Sequence, residues 1–172
     1  YETLDTPEGV DRAFAKLDTI KKDVVWWEAG AQPVQLLADG EVTMATGYNG
    51  RFFDAMVGEG KPFEIIWDGQ YMDLDMFAIP KGSPNPEAAM QYLKFATDTQ
   101  RLADQAKYIA YGPSRKSSAK LVGLFQDGKT EMAPHMPTNP EHMKTAVMDD
   151  PEWWADHDAE MAERFNAWLA AN

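Results

Sequence analysis

Residues 71–96 read Tyr71-Met72-Asp73-Leu74-Asp75-Met76-Phe77-Ala78-Ile79-Pro80-Lys81-Gly82-Ser83-Pro84-Asn85-Pro86-Glu87-Ala88-Ala89-Met90-Gln91-Tyr92-Leu93-Lys94-Phe95-Ala96. Asp75 to Ile79 is predicted to be a strand, stopped by Pro80, which has no N–H for a ladder. Lys81 to Pro86 is a loop, and Pro86 suits the first turn of a helix. Ala89, Tyr92, Leu93 and Ala96 then form one helical stripe. Strand, short loop and helix in this order are the repeating unit of an α/β fold.

The same alternation continues outward. Thr6-Pro7-Glu8 is a helix start, a cap followed by proline. Val10, Ala13, Phe14 and Leu17 follow it at i, i+3, i+4 and i+7. Val24-Val25-Trp26-Trp27 is expected to be extended. Ala31 to Ala38 reads as a short helix ended by Asp39-Gly40, where glycine suits the left-handed cap. Val42 to Tyr48 and Phe63 to Trp67 are predicted strands. Between them Asn49-Gly50 turns the chain into a helix over Arg51 to Val57. Beyond residue 96, a helix is expected over about 99–108 and a turn at Tyr111-Gly112-Pro113-Ser114. Short helices and a proline-rich loop at 134–140 come next. A last helix starts near Pro151, with Trp154, Met161, Phe165, Trp168 and Leu169 on one face.

The chain has 172 residues, no cysteine and a net charge of −12. One ordinary domain is the expectation from length. Without cysteine there are no disulfides and no thiolate metal sites. The negative charge opposes binding to nucleic acid and attracts cations. No segment approaches the roughly 18 consecutive apolar residues of a membrane helix. No signal peptide is visible, and Tyr1-Glu2-Thr3-Leu4-Asp5 reads as an interior stretch of something longer.

Three segments in order carry a resemblance. Gly40-Glu41-Val42 leads a strand into Tyr48-Asn49-Gly50-Arg51. Tyr71 to Asp75 leads into Phe77-Ala78-Ile79-Pro80, a proline-containing loop and a helix. Tyr108-Ile109-Ala110-Tyr111-Gly112-Pro113 follows that helical pair. The series resembles the second half of the spermidine/putrescine-binding proteins, among the extracellular solute-binding proteins of ABC importers. The resemblance implies a periplasmic binding protein type II-like α/β fold of two lobes, of which this chain is the C-terminal part. It implies that residues 1–70 begin in lobe two, that 71–118 return to lobe one, and that 119–172 are lobe-two helices. It further implies periplasmic capture of a small amine for an inner-membrane ABC permease, with the N-terminal half of the same protein missing here. No cofactor and no catalytic role follow from it.

A polyamine needs apolar walls for its methylenes, and carboxylates or aromatic faces for its ammonium groups. By the resemblance, Tyr48 stands at the family's aromatic wall, Asp75 at its acidic contact, and Tyr111 at a tyrosine before the return to lobe two. Trp154 matches a contact by position. Two departures point elsewhere. Asp73 stands where the spermidine-binding pattern has tryptophan, and Arg51 follows Asn-Gly where a small polar residue is usual. An arginine can clamp a carboxylate with two parallel hydrogen bonds. With Asp73 or Asp75 taking an ammonium, the set suits a zwitterion such as γ-aminobutyrate, the alternative to putrescine or spermidine.

Each of these residues also has a plainer role. Tyr48 would serve as the last core residue of a strand, and Asp73 and Asp75 as solvated carboxylates at a strand end. Arg51 would serve as a surface cation, although the start of a helix disfavours one. Tyr111 and the pairs Trp26-Trp27 and Trp153-Trp154 would serve as core or interface. His135, His142 and His157 lack metal-helix spacing. Ser114, Ser117 and Ser118 have no histidine placed by a motif, so an enzyme is not the expected reading. A carboxylate-pair hydrolase built on Asp73 and Asp75, and a partner-binding module, are the other classes weighed.

Overall fold

Thr6 does start a helix. Its Oγ accepts the Gly9 N–H at 3.1 Å, and helix α1 runs Pro7–Asp18. Gly9 is buried, and a Cβ there would lie 1.5 Å from the Thr3 carbonyl oxygen, so only glycine fits. The computed structural model describes residues 1–171 and divides into two units. Unit one is Tyr1–Trp26 together with the chain from Met148 onward; unit two is Trp27–Val147.

In unit one α1 pairs with the long C-terminal helix α7 (Pro151–Ala170), capped by Asp150, whose carboxylate accepts the Trp153 N–H. Phe14, Trp26, Phe165 and Trp168 meet edge-on or tilted, with centroids 5.5 to 5.9 Å apart. Lys21 donates to the Trp168 and Ala171 carbonyls and sits 4.6 Å over the Trp168 ring. A cation there complements the negative end of the helix dipole. Arg164 pairs with Asp11 and covers the Phe14 ring. At the other end of α7, Trp153 and Trp154 enclose Tyr1.

Unit two carries helices α2 (Gln32–Ala38), α3 (Asn49–Phe53), α4 (Pro86–Ala96), α5 (Thr99–Gln105) and α6 (Lys116–Ala119). One π-helical turn, Asp54–Gly58, extends α3. Its core is Phe53, Ala106, Ala110, Phe125, Met132 and Met136, with Val57 and Val122 packed against them. Strand β1 (Tyr71–Met72) pairs with β2 (Val147–Met148), and the Val147 N–H donates to the Gln70 carbonyl. The Gln70 side chain donates to the Pro137 and His142 carbonyls at 2.8 and 3.2 Å. Trp67 stacks on His142 with centroids 4.3 Å apart.

The helices stand close to where the sequence puts them, and Gly40 closes α2 at φ +70°. The helix predicted over 99–108 stops earlier, at Gln105, and turns tightly through Tyr108. The three predicted strands are the correction. Residues 42–48, 63–67 and 75–79 join no ladder among the described residues. A strand is stabilised by a neighbour about 4.8 Å away, and the described chain seats none beside these three. Met44 and Phe77 are exposed as a result, with Ile66 73% and Met76 83% exposed.

Phe53, 1% exposed, is the more deeply buried of the two phenylalanines in the unit-two core. Phe53→Ala is expected to cost about 3–5 kcal/mol through the cavity it leaves, read as a lower denaturant midpoint at constant slope. Gly9→Ala is expected to lower the midpoint as well, by the clash with Thr3. His135 packs against Phe53 at 5.0 Å. Burial, and secondarily the charge of His142, hold its pKa below the ordinary 6.5. The unfolded chain therefore binds more protons between those two values. The associated stability is present above about pH 6.5 and is lost as pH falls towards the lower, folded value. Melting of His135→Gln should depend less on pH across that window than melting of the wild type. Identical slopes would show that His135 contributes nothing.

Candidate functional site

The turn Tyr48-Asn49-Gly50-Arg51 is held in place from below. The Asn49 side-chain amide donates to the Ala110 carbonyl at 2.5 Å. Gly50 is buried, and a Cβ there would lie 2.8 Å from the Tyr111 ring and 3.1 Å from Ile109. Close approach of this kind needs glycine. Phe52 and Phe53 anchor the following turn in the interior. Gly47 leaves room for Pro33 and Phe52, each 3.0 Å from a Cβ built there. The Tyr48 carbonyl accepts the Arg51 N–H at 3.0 Å, which completes the turn.

Tyr48, Arg51 and Tyr111 are thereby brought to one place in unit two. The Tyr48 ring is 56% exposed and meets Trp27 edge-on at 6.0 Å. Arg51 is exposed, and among the described residues it forms no ion pair. Tyr111 is half-buried over Gly50. An aromatic face, a second aromatic ring and a guanidinium with open donors suit a ligand that has an apolar chain and an anionic end.

Asp73 and Asp75 lie on the exposed segment that follows β1. The Asp73 carboxylate accepts the Leu74 N–H at 2.7 Å, and neither carboxylate forms an ion pair among the described residues. Trp154 belongs to unit one. Its indole N–H donates to the Tyr1 hydroxyl at 2.9 Å, and its ring meets Trp153 edge-on at 4.9 Å. Among the described residues no group of three or more His, Asp or Glu side chains is placed to hold a metal.

Two neighbours of the Tyr48 turn stand outside the candidate set. Trp26 and Trp27, adjacent in sequence, take different duties: Trp26 joins the α7 aromatics of unit one, and Trp27 faces Tyr48 in unit two. Successive residues of an extended chain point to opposite sides, which is the signal that separates the pair. Gly30 carries no motif at all, yet a Cβ there would lie 2.7 Å from the Tyr48 ring.

The family model for bacterial extracellular solute-binding proteins matches residues 1–138. A gamma-aminobutyric acid-binding protein of Pseudomonas aeruginosa is 43% identical over 171 residues, covering 99% of this chain and 46% of that protein. Among solved structures, a GABA receptor superposes with a TM-score of 0.77 at 36% identity, covering 96% of this chain and 49% of its own. The PBP MotA from A. tumefaciens, in complex with glucopine, gives a TM-score of 0.84 at 32% identity, covering 98% and 51%. The chain spans about half the length of these relatives. The expected α/β class stands, since the chain takes up part of their two-lobe fold. These relatives are binding proteins and not enzymes. With its match extending over residues 1–138, this chain belongs to the bacterial extracellular solute-binding protein family.

Proposed function

We propose that the chain is part of the substrate-binding component of an ABC importer, and that its ligand is a small ω-amino acid of the γ-aminobutyrate type. One observation carries the choice of ligand. Arg51, with its donors open, is fixed by the Asn49–Gly50 anchor beside Tyr48 and Tyr111. A guanidinium repels a polyamine, which is cationic at both ends, and attracts a carboxylate. The names of two relatives, a gamma-aminobutyric acid-binding protein and a GABA receptor, support the same choice. The ω-amino acid therefore replaces the polyamine first expected from the spermidine/putrescine resemblance.

In this reading Arg51 clamps the carboxylate, Tyr48 and Tyr111 flank the methylenes, and Asp75 or Asp73 takes the ammonium. Trp154 is not required, because its indole N–H is committed to Tyr1. Residues 1–70 and 119–172 would belong to lobe two and 71–118 to lobe one. The remaining length of the relatives would supply the rest of the cleft. The protein would act in the periplasm, with an inner-membrane permease as its partner.

Calorimetry on the protein at its full native length tests this. Heat with γ-aminobutyrate and none with putrescine is the expected result; putrescine heat alone would overturn it. Arg51→Ala is expected to weaken γ-aminobutyrate binding by roughly 10- to 100-fold, the range for losing a hydrogen-bonded charge. Arg51→Lys should recover only part, since lysine lacks the planar fork. Asp75→Asn and Asp73→Asn, measured side by side, identify the carboxylate that takes the ammonium by the larger loss.

A further inference from the structure

The loop 28–31 is built as firmly as the turn it faces. The Gln32 side-chain carbonyl accepts the backbone N–H groups of Glu28 at 2.8 Å and Ala29 at 2.6 Å. The Gln32 N–H in turn donates to the Ala29 carbonyl at 2.8 Å. The next residue, Pro33, is fully buried and seats the start of α2. These bonds fix Gly30 against two of the candidate residues. A Cβ at Gly30 would lie 2.7 Å from Tyr48 Cε2, 2.9 Å from Tyr48 Cδ2 and 3.4 Å from Arg51 Nε. Trp27, at the other end of the same loop, meets the Tyr48 ring edge-on.

We infer that Gly30 is a positioning residue for ligand recognition: its missing side chain is the space in which the Tyr48 ring takes its place beside Arg51. The inference rests on the reading of Tyr48 as a wall for the ligand's methylenes. Glycine is not needed here for backbone reasons, because Gly30 is absent from the glycines at positive φ. What a side chain would meet is the exposed ring of Tyr48, which can swing aside. Alanine would therefore leave the fold standing and move the ring, while it would meet Arg51 only at ordinary van der Waals distance. Its effect would fall on the ligand's methylene chain, because the Tyr48 ring flanks that chain.

The experiment is calorimetry and thermal melting of the protein at full native length: wild type, Gly30→Ala, Gln32→Ala and Arg51→Ala. The probes are γ-aminobutyrate and n-butylamine, which keeps the chain and the ammonium but has no carboxylate. Gly30→Ala is expected to melt with the wild type and to lose about tenfold in affinity for both probes, since both carry the chain that Tyr48 flanks. Gln32→Ala, which unpins the loop without adding atoms, is expected to weaken both probes as well, and it carries the test if Gly30→Ala melts early. A wild type that binds no γ-aminobutyrate sinks the ligand reading, and this inference with it. A wild type that binds γ-aminobutyrate, an Arg51→Ala that loses that binding, and loop variants that bind both probes like the wild type would overturn the role of Gly30 alone. Loss confined to γ-aminobutyrate would also overturn it, since that is an effect on the carboxylate end and not on the ring.

Discussion

The hydrogen bond from the Asn49 side chain to the Ala110 carbonyl ties the candidate site to the core. Ala110 is fully buried in the cluster that holds Phe53, four residues beyond Asn49. The turn 48–51 is thus gripped at both ends, by an amide at its start and a buried ring just after it. Without that grip Tyr48 and Arg51 would be two long side chains on a free loop, and ordering them on ligand would cost rotamer entropy. Gly50 completes the arrangement by letting Tyr111 lie directly on the turn. In the proposed reading the aromatic walls and the cation would therefore be placed before any ligand arrives.

The rest of unit two is held less tightly. Residues 42–48, 63–67 and 75–79 carry strand-like sequence but no ladder, and large apolar side chains such as Met76 and Ile66 face solvent. Exposed apolar surface on this scale is characteristic of a face meant to be covered. The relatives, about twice as long as this chain, have further sequence from which a cover would come. Asp75 opens one of these unpaired segments, and Asp73 lies two residues before it. A strand sets the direction of its side chains only when its register is fixed by a neighbour.

Charge separates the candidate ligands where shape does not. The chain is strongly acidic overall, which draws in any cationic solute. Overall charge therefore favours the polyamines, since a zwitterionic ω-amino acid carries no net charge. In the proposed reading the local charge of Arg51, on the turn that carries Tyr48 and packs against Tyr111, opposes that preference. One protein of this fold is seen in complex with glucopine, and in the proposed reading the side chains around the turn would carry the specificity.

The sequence by itself determined the helices, their caps and the turns between them. Thr6-Pro7, Asp39-Gly40 and Pro151 act through bonds made within a few residues, so local reading suffices. It also singled out Tyr48, Arg51 and Tyr111, through the order of segments and the odd arginine after Asn-Gly. Only the tertiary structure decided that Trp26 and Trp27 serve different units, that Asn49 reaches Ala110, and that Gly30 is the floor under Tyr48 and Arg51. These depend on contacts between residues distant in the chain, and an absent side chain such as that of Gly30 leaves no pattern to read. The unpaired strands follow the same rule, because β structure is a relation between segments and no segment specifies it alone.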